Sequence, residues 1–200
     1  MTWGYDAEII RKSSGKSGQQ NISQHGNNLL VSLQQERKAN PDRPLIFIAH
    51  SFGGIVLKVA LDNSRRSQHQ PQYLNVYSST KGIVFLGTPH GGARALRGLS
   101  PNSELLENLR KVFLQMLEDD QFGIHSFYET KSKSGILGLD GLVVPYDSAL
   151  VGHARKEISV GLHGNHEQIC KFQGPDDANY KAVFGALQDY LIGATQPRST

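Results

Sequence analysis

Apolar positions in this chain follow two periods. Leu45-Ile46-Phe47-Ile48-Ala49 and Gly82-Ile83-Val84-Phe85-Leu86-Gly87 are unbroken apolar runs bounded by turn formers. That pattern predicts strands buried on both faces of a parallel sheet. Phe122 to Glu129 and Leu142 to Pro145 predict two further strands. Elsewhere the spacing is helical. Leu29, Leu30 and Leu33 predict a short amphipathic helix over Asn28 to Arg37, which Asn-Pro and Arg-Pro then break between Lys38 and Pro44. Ile55, Val59 and Ala60 mark the inward face of a helix over Gly53 to Asn63. Ser103 to Asp119 carries apolar residues at 105, 106, 109, 112, 113, 116 and 117, a 3.6-residue period. Asp176 to Ile192 opens with two acidic residues suited to a helix N-terminus and continues with a stripe of Tyr180, Val183, Phe184, Leu187 and Leu191. Arg11 to Asn28, rich in Ser, Gly, Gln and Asn, and the polar stretch Asn63 to Lys81 predict loops. Strands alternating with helices imply an α/β architecture with a mostly parallel sheet, and residues 1–200 show no repeat and no internal boundary, so one domain is expected.

Composition changes this picture little. Apolar residues make up 38%, charged residues 20% and aromatics 8%, which excludes disordered, collagen-like and membrane-spanning classes. The net charge is +3, but the basic residues are scattered in pairs such as Arg37-Lys38 and Arg65-Arg66, the pattern of a solvated surface and not of a nucleic-acid site. A single cysteine, Cys170, rules out an internal disulfide and a cysteine metal site; flanked by Ile169 and near Phe172, it reads as a small buried residue. His163 and His166 lie three apart on a glycine-containing segment with no third ligand nearby, so neither a metal nor a cofactor is expected. Met1 to Ile10 lacks a secretion pattern, and the longest apolar run has five residues. A cytoplasmic location without a transmembrane segment is the expectation, with peripheral membrane contact open to it.

The chemistry concentrates in Ile48-Ala49-His50-Ser51-Phe52-Gly53-Gly54. This is a nucleophile elbow of the G-x-S-x-G type with Ala49 in the first glycine position. A sharp strand-to-helix turn holds such a serine in a strained conformation, so small residues are needed two before and two after it, as Ala49 and Gly53 are. The N-terminus of the following helix also favours negative charge developing at Ser51.

A serine nucleophile needs a base. In this architecture the order is serine, acid, histidine, with the histidine on a late loop ahead of the last helix. His166 stands there, and His163 is its rival. His50 adjoins Ser51, but neighbouring strand residues face opposite ways, so it is not expected to reach the hydroxyl. His90, after the second strand, fits packing better than catalysis. The acid candidates between Ser51 and His166 are Glu129, at the end of a predicted strand, then Asp147, then Asp140 beside Gly141, where turn chemistry is the simpler account.

Taken together, Arg43 to Gly54, Gly82 to Gly92, Ser126-Phe127-Tyr128-Glu129, Val144-Pro145 with Ser148-Ala149, and Asn165-His166 with Ile169-Cys170-Lys171-Phe172 resemble the lipase-like α/β-hydrolase family that includes the serine-active-site-containing protein and its fungal relatives. The match runs from about Gly4 to the end. The resemblance implies an α/β-hydrolase fold with helices on both faces of the sheet. It also implies a Ser-acid-His serine hydrolase cleaving carboxylic esters of a lipid or other hydrophobic acyl group. It carries over Ser51 and His166 and favours Glu129. Family members begin with an earlier strand ending in a His-Gly loop that donates one backbone N–H to the oxyanion hole. This sequence matches the family only after that loop, so it is expected to lack the N-terminal strands and that donor, leaving the Phe52 N–H. The competing expectation is a weak or inactive hydrolase-fold module serving as a binding or signalling domain. The partner implied is a small-molecule or lipid ester, not nucleic acid.

Overall fold

The computed structural model describes residues 1–4, 16–91, 103–132 and 142–195. In chain order its elements are α1 (Lys16–Glu36), β1 (Leu45–His50), α2 (Gly53–Arg66), α3 (Pro71–Ser79), β2 (Thr80–Leu86), α4 (Ser103–Glu118), β3 (Gly123–Glu129), α5 (Tyr146–Ala149), β4 (Glu157–Leu162) and α6 (Ala178–Thr195). The strands of the described residues form one sheet in the order β1-β2-β3-β4, and every neighbouring pair is parallel.

Strand alternation sorts the core onto two faces. Ile83 and Phe85 of β2 point to one side, where they pack with Ala49, Ile124 and residues of α1, α2, α3 and α4. Val84 and Leu86 point to the other, where they meet Phe127, Leu162, Ile169 and, from α6, Val183 and Ala186. Helices therefore cover both faces. Gly82 permits the close approach of α6, since a Cβ there would lie 2.2 Å from the Tyr190 ring.

Four expectations change. Among the described residues β1 is an edge strand and is not buried on both faces: Ala49 is buried, while Ile48 on the opposite face is 55% exposed, because α6 packs over β2. The expected loop before Asn28 is helical from Lys16, with Ile22 buried against Ile55 and Val59 of α2. The expected loop after Asn63 contains α3, started by Pro71 in its first turn and anchored by buried Val76 and Tyr77. Residues 142–145 form no strand; they lead into the single turn of α5, and the fourth strand is β4 instead.

Parallel register aligns the strand ends. His50 pairs with Leu86, Leu86 with Phe127, Phe127 with Val160, and Glu129 with Leu162. Ser51, Gly87, Glu129 and the segment after Leu162 thus emerge together at the C-terminal edge of the sheet, where open α/β sheets place their sites.

Candidate active site

β1 passes into α2 through one left-handed residue. Ser51 has φ 53°, a conformation that costs an L-residue about 1–2 kcal/mol and persists only where its surroundings enforce it. Its N–H donates to the Leu86 carbonyl at 2.8 Å, prolonging the β1–β2 ladder, and its carbonyl accepts from Gly54 N at 3.1 Å. Phe52 stands at the N-cap of α2 and supplies no side-chain cap; Gly54 N and Ile55 N already donate to the Ser51 and Phe52 carbonyls, which leaves the N–H groups of Phe52 and Gly53 to a ligand or solvent. Gly54 lets α2 pack closely against Thr88, since a Cβ there would sit 2.3 Å from Thr88 Oγ1.

His166 follows β4 in a turn held by Asn165, whose side chain accepts from the N–H groups of Glu167 and Gln168, both at 3.1 Å. Its Nε2 lies 2.8 Å from Ser51 Oγ. For Nε2 to accept the hydroxyl proton, the hydrogen of the neutral ring must sit on Nδ1. Nδ1 is 4.0 Å from Glu129 Oε1, an ion-pair distance longer than a hydrogen bond. Glu129 ends β3 almost fully buried, and its Oε1 accepts from the Val144 N–H at 2.6 Å. Burial pushes its carboxyl upward in pKa, and the backbone N–H groups of Val144, Val143 and His166 partly offset that shift.

The other candidates separate clearly. Asp147 is exposed in the first turn of α5, whereas Glu129 is buried. Asp140 lies outside the described residues. His163 is exposed, with its N–H and carbonyl both bonded to the Asn179 side chain. His90 is fully buried, its Nδ1 2.5 Å from Lys58 Nζ. Lys58 is itself 1% exposed, with its ammonium position 4.7 Å from the Phe113 ring centre. Burial lowers the Lys58 amine to about 7 and drives His90 well below the usual imidazole range, so His90 is the acceptor of this pair. Cys170 is half-buried, and burial raises its thiol pKa.

Two residues given no site role by the sequence border His166. Gly87, left-handed at φ 55°, faces the imidazole; a Cβ there would lie 3.0 Å from His166 Nδ1 and 3.1 Å from Ile169 Cδ1. A glycine closing a buried strand was the available signal. His50 reaches His166 and not the Ser51 hydroxyl: its Nε2 lies 3.0 Å from the His166 carbonyl oxygen. Among the described residues no group of three or more His, Cys, Asp or Glu could hold a metal ion, and no helix is long and apolar enough to cross a membrane.

A solved structure, that of a putative cell surface hydrolase from Lactobacillus plantarum WCFS1, matches 90% of this chain and 66% of its own at a TM-score of 0.54 and 15% identity. The fold is the α/β-hydrolase fold. In sequence the chain is similar to Protein SERAC1, being 30% identical to the Danio rerio protein over 168 residues, 29% to the Bos taurus protein over 167 and 28% to the Homo sapiens protein over 166. These alignments cover 75–76% of this chain, which spans about a quarter of the length of those relatives. No family model matches the chain.

Proposed function

We propose that the chain is a serine hydrolase that cleaves carboxylic esters through Ser51, His166 and Glu129. The observation that carries this reading is the 2.8 Å contact between His166 Nε2 and the hydroxyl of a left-handed Ser51. His166 Nε2 takes the Oγ proton as Ser51 attacks the acyl carbonyl, and the carbonyl π electrons move onto the oxygen. The Phe52 N–H donates to that oxyanion, aided by the N-terminus of α2. Collapse breaks the ester C–O bond, and His166 returns the proton to the departing alcohol. Water then attacks the acyl-enzyme with His166 again as base, releasing the acid. Glu129 holds the imidazole with its hydrogen on Nδ1 and stabilises the imidazolium. A groove of about 470 Å³ runs beside β1 from Trp3, Leu29 and Leu33 to His50 and Gly53, and supplies apolar surface for an acyl chain next to the elbow.

A second reading, a hydrolase-fold binding module without turnover, draws on the 4.0 Å separation of Glu129 and His166. Apo sites commonly tighten such contacts only around substrate, so the first reading is preferred. Hydrolysis of p-nitrophenyl esters of increasing acyl length decides between them. The serine-hydrolase reading requires turnover that falls by roughly 10⁴–10⁶-fold in Ser51→Ala. Equal release by wild type and variant leaves the binding module.

A further inference from the structure

His166 owes its side-chain position to a short turn, and that turn is bonded mostly to itself. Gln168 N and Ile169 N donate to the Asn165 carbonyl at 2.9 and 3.1 Å, and Asn165 N donates to Gln168 Oε1 at 3.0 Å. Lys131 N to the Gly164 carbonyl, at 3.0 Å, ties the turn to the segment after β3. Such bonds shape the turn without fixing its distance from β1, the strand that carries the nucleophile. His50 bridges that gap. It is the last residue of β1, its Nε2 lies 3.0 Å from the His166 carbonyl oxygen, and the two rings sit 5.0 Å apart at a tilt of 38°. A carbonyl oxygen only accepts, so His50 Nε2 carries a hydrogen and donates it.

We propose that His50 is a positioning residue: its Nε2–H grips the His166 main chain and sets the base at bonding distance from Ser51. This rests on reading Ser51 and His166 as nucleophile and base. Two consecutive residues of one strand end then bind two atoms of one histidine, Ser51 Oγ at the imidazole and His50 Nε2 at the peptide oxygen. The backbone N–H of His166 meets the Glu129 carboxylate, so residue 166 is held at both its N–H and its C=O. Releasing the His50 bond lets the turn drift from the elbow, and a displacement near 1 Å at reacting atoms costs up to about a hundredfold in rate.

The test uses three variants of the full chain. His50→Leu removes the donor. His50→Asn keeps an amide that is too short to reach the carbonyl. His50→Gln places an amide N–H near the Nε2 position. The account predicts that Leu and Asn lower kcat by about ten- to a hundredfold with KM within about twofold, and that Gln recovers activity to within about threefold of wild type. Rates of fluorophosphonate labelling should follow the same order. A merely structural role would move the melting temperature without rescue by Gln over Asn. The proposal is overturned if Leu and Asn match wild type, or if Gln is as impaired as Asn. If wild type labels no faster than Ser51→Ala, the underlying site reading fails and this proposal with it. Labelling of wild type with indifferent His50 variants sinks only the proposal.

Discussion

His166 and His90 both sit against ionisable partners, and of these two only His166 also meets the Ser51 hydroxyl. Glu129 and His166 meet at the C-terminal edge of the sheet, with the half-buried Ser51 hydroxyl on the far side of the imidazole. Lys58 and His90 meet under α2, where both are shut away among Phe85 and Phe113. Burial perturbs both places: it raises Glu129 and lowers Lys58 and His90. A perturbed ionisable group is therefore no sufficient mark of a site here. What separates the pairs is access and an aligned acceptor for a proton in transit.

The sharpest way to press that comparison is Glu129→Gln. The amide oxygen can still accept from Val144 N–H, but it cannot stabilise an imidazolium. Ester turnover should fall by roughly 10²–10⁴-fold. Stability should move the other way. A carboxyl whose folded pKa is raised binds its proton more tightly in the folded state, so its contribution is present at low pH and is lost as pH rises through the folded value. Denaturant titrations at pH 4 and pH 8 should show the stability of wild type relative to the variant falling between them, since the contributions of Lys58 and His90 are common to both and cancel. Unchanged turnover would remove Glu129 from the mechanism and return Asp147 to consideration.

Gly87→Ala probes the same imidazole from β2. The added methyl meets His166 Nδ1 at 3.0 Å and the left-handed backbone adds about 1–2 kcal/mol of strain. Ester turnover should drop about ten- to a hundredfold while the chain remains folded by circular dichroism. Near-normal turnover would show that the ring has slack.

The smallest effect on activity belongs to the closed pair. Lys58→Met should leave ester turnover within about threefold of wild type, since the pair is buried away from solvent. With the folded amine lowered to about 7 against an ordinary value of 10.5, the unfolded chain binds the extra proton between these limits, so wild-type stability rises with pH across that window. The variant should flatten that rise. A large loss of turnover would mean that the buried pair communicates with the site after all.

How much of this was legible depended on how local each signal was. The strand, left-handed turn and helix around Ser51 could be read because small residues and a buried run are confined to one short segment. The two apolar runs looked alike, yet one became an exposed edge and the other the sheet centre; partners distant in the chain decide that, and Ile48 pays the difference in exposure. β4, with the mixed sequence Glu157-Ile158-Ser159-Val160-Gly161-Leu162, gave no clear period because it too lies at an edge of the sheet among the described residues. Its register with β3 nevertheless brings the turn of His166 near Glu129. α3 escaped notice because few of its residues are buried, and Lys58 because a lone lysine in an amphipathic helix normally faces water. The contact from His50 to the His166 carbonyl could not be foreseen from strand alternation, since the backbone reverses at the next residue.

The central claim is that the Ser51 hydroxyl is a nucleophile activated by His166. Mass mapping of the protein after a fluorophosphonate probe tests it most directly, because the phosphonyl group stays on the atom that attacked. The account predicts a single stoichiometric adduct on the peptide bearing Ser51, absent in Ser51→Ala and strongly slowed in His166→Ala. No adduct on wild type, or an adduct on another residue that survives Ser51→Ala, would contradict it.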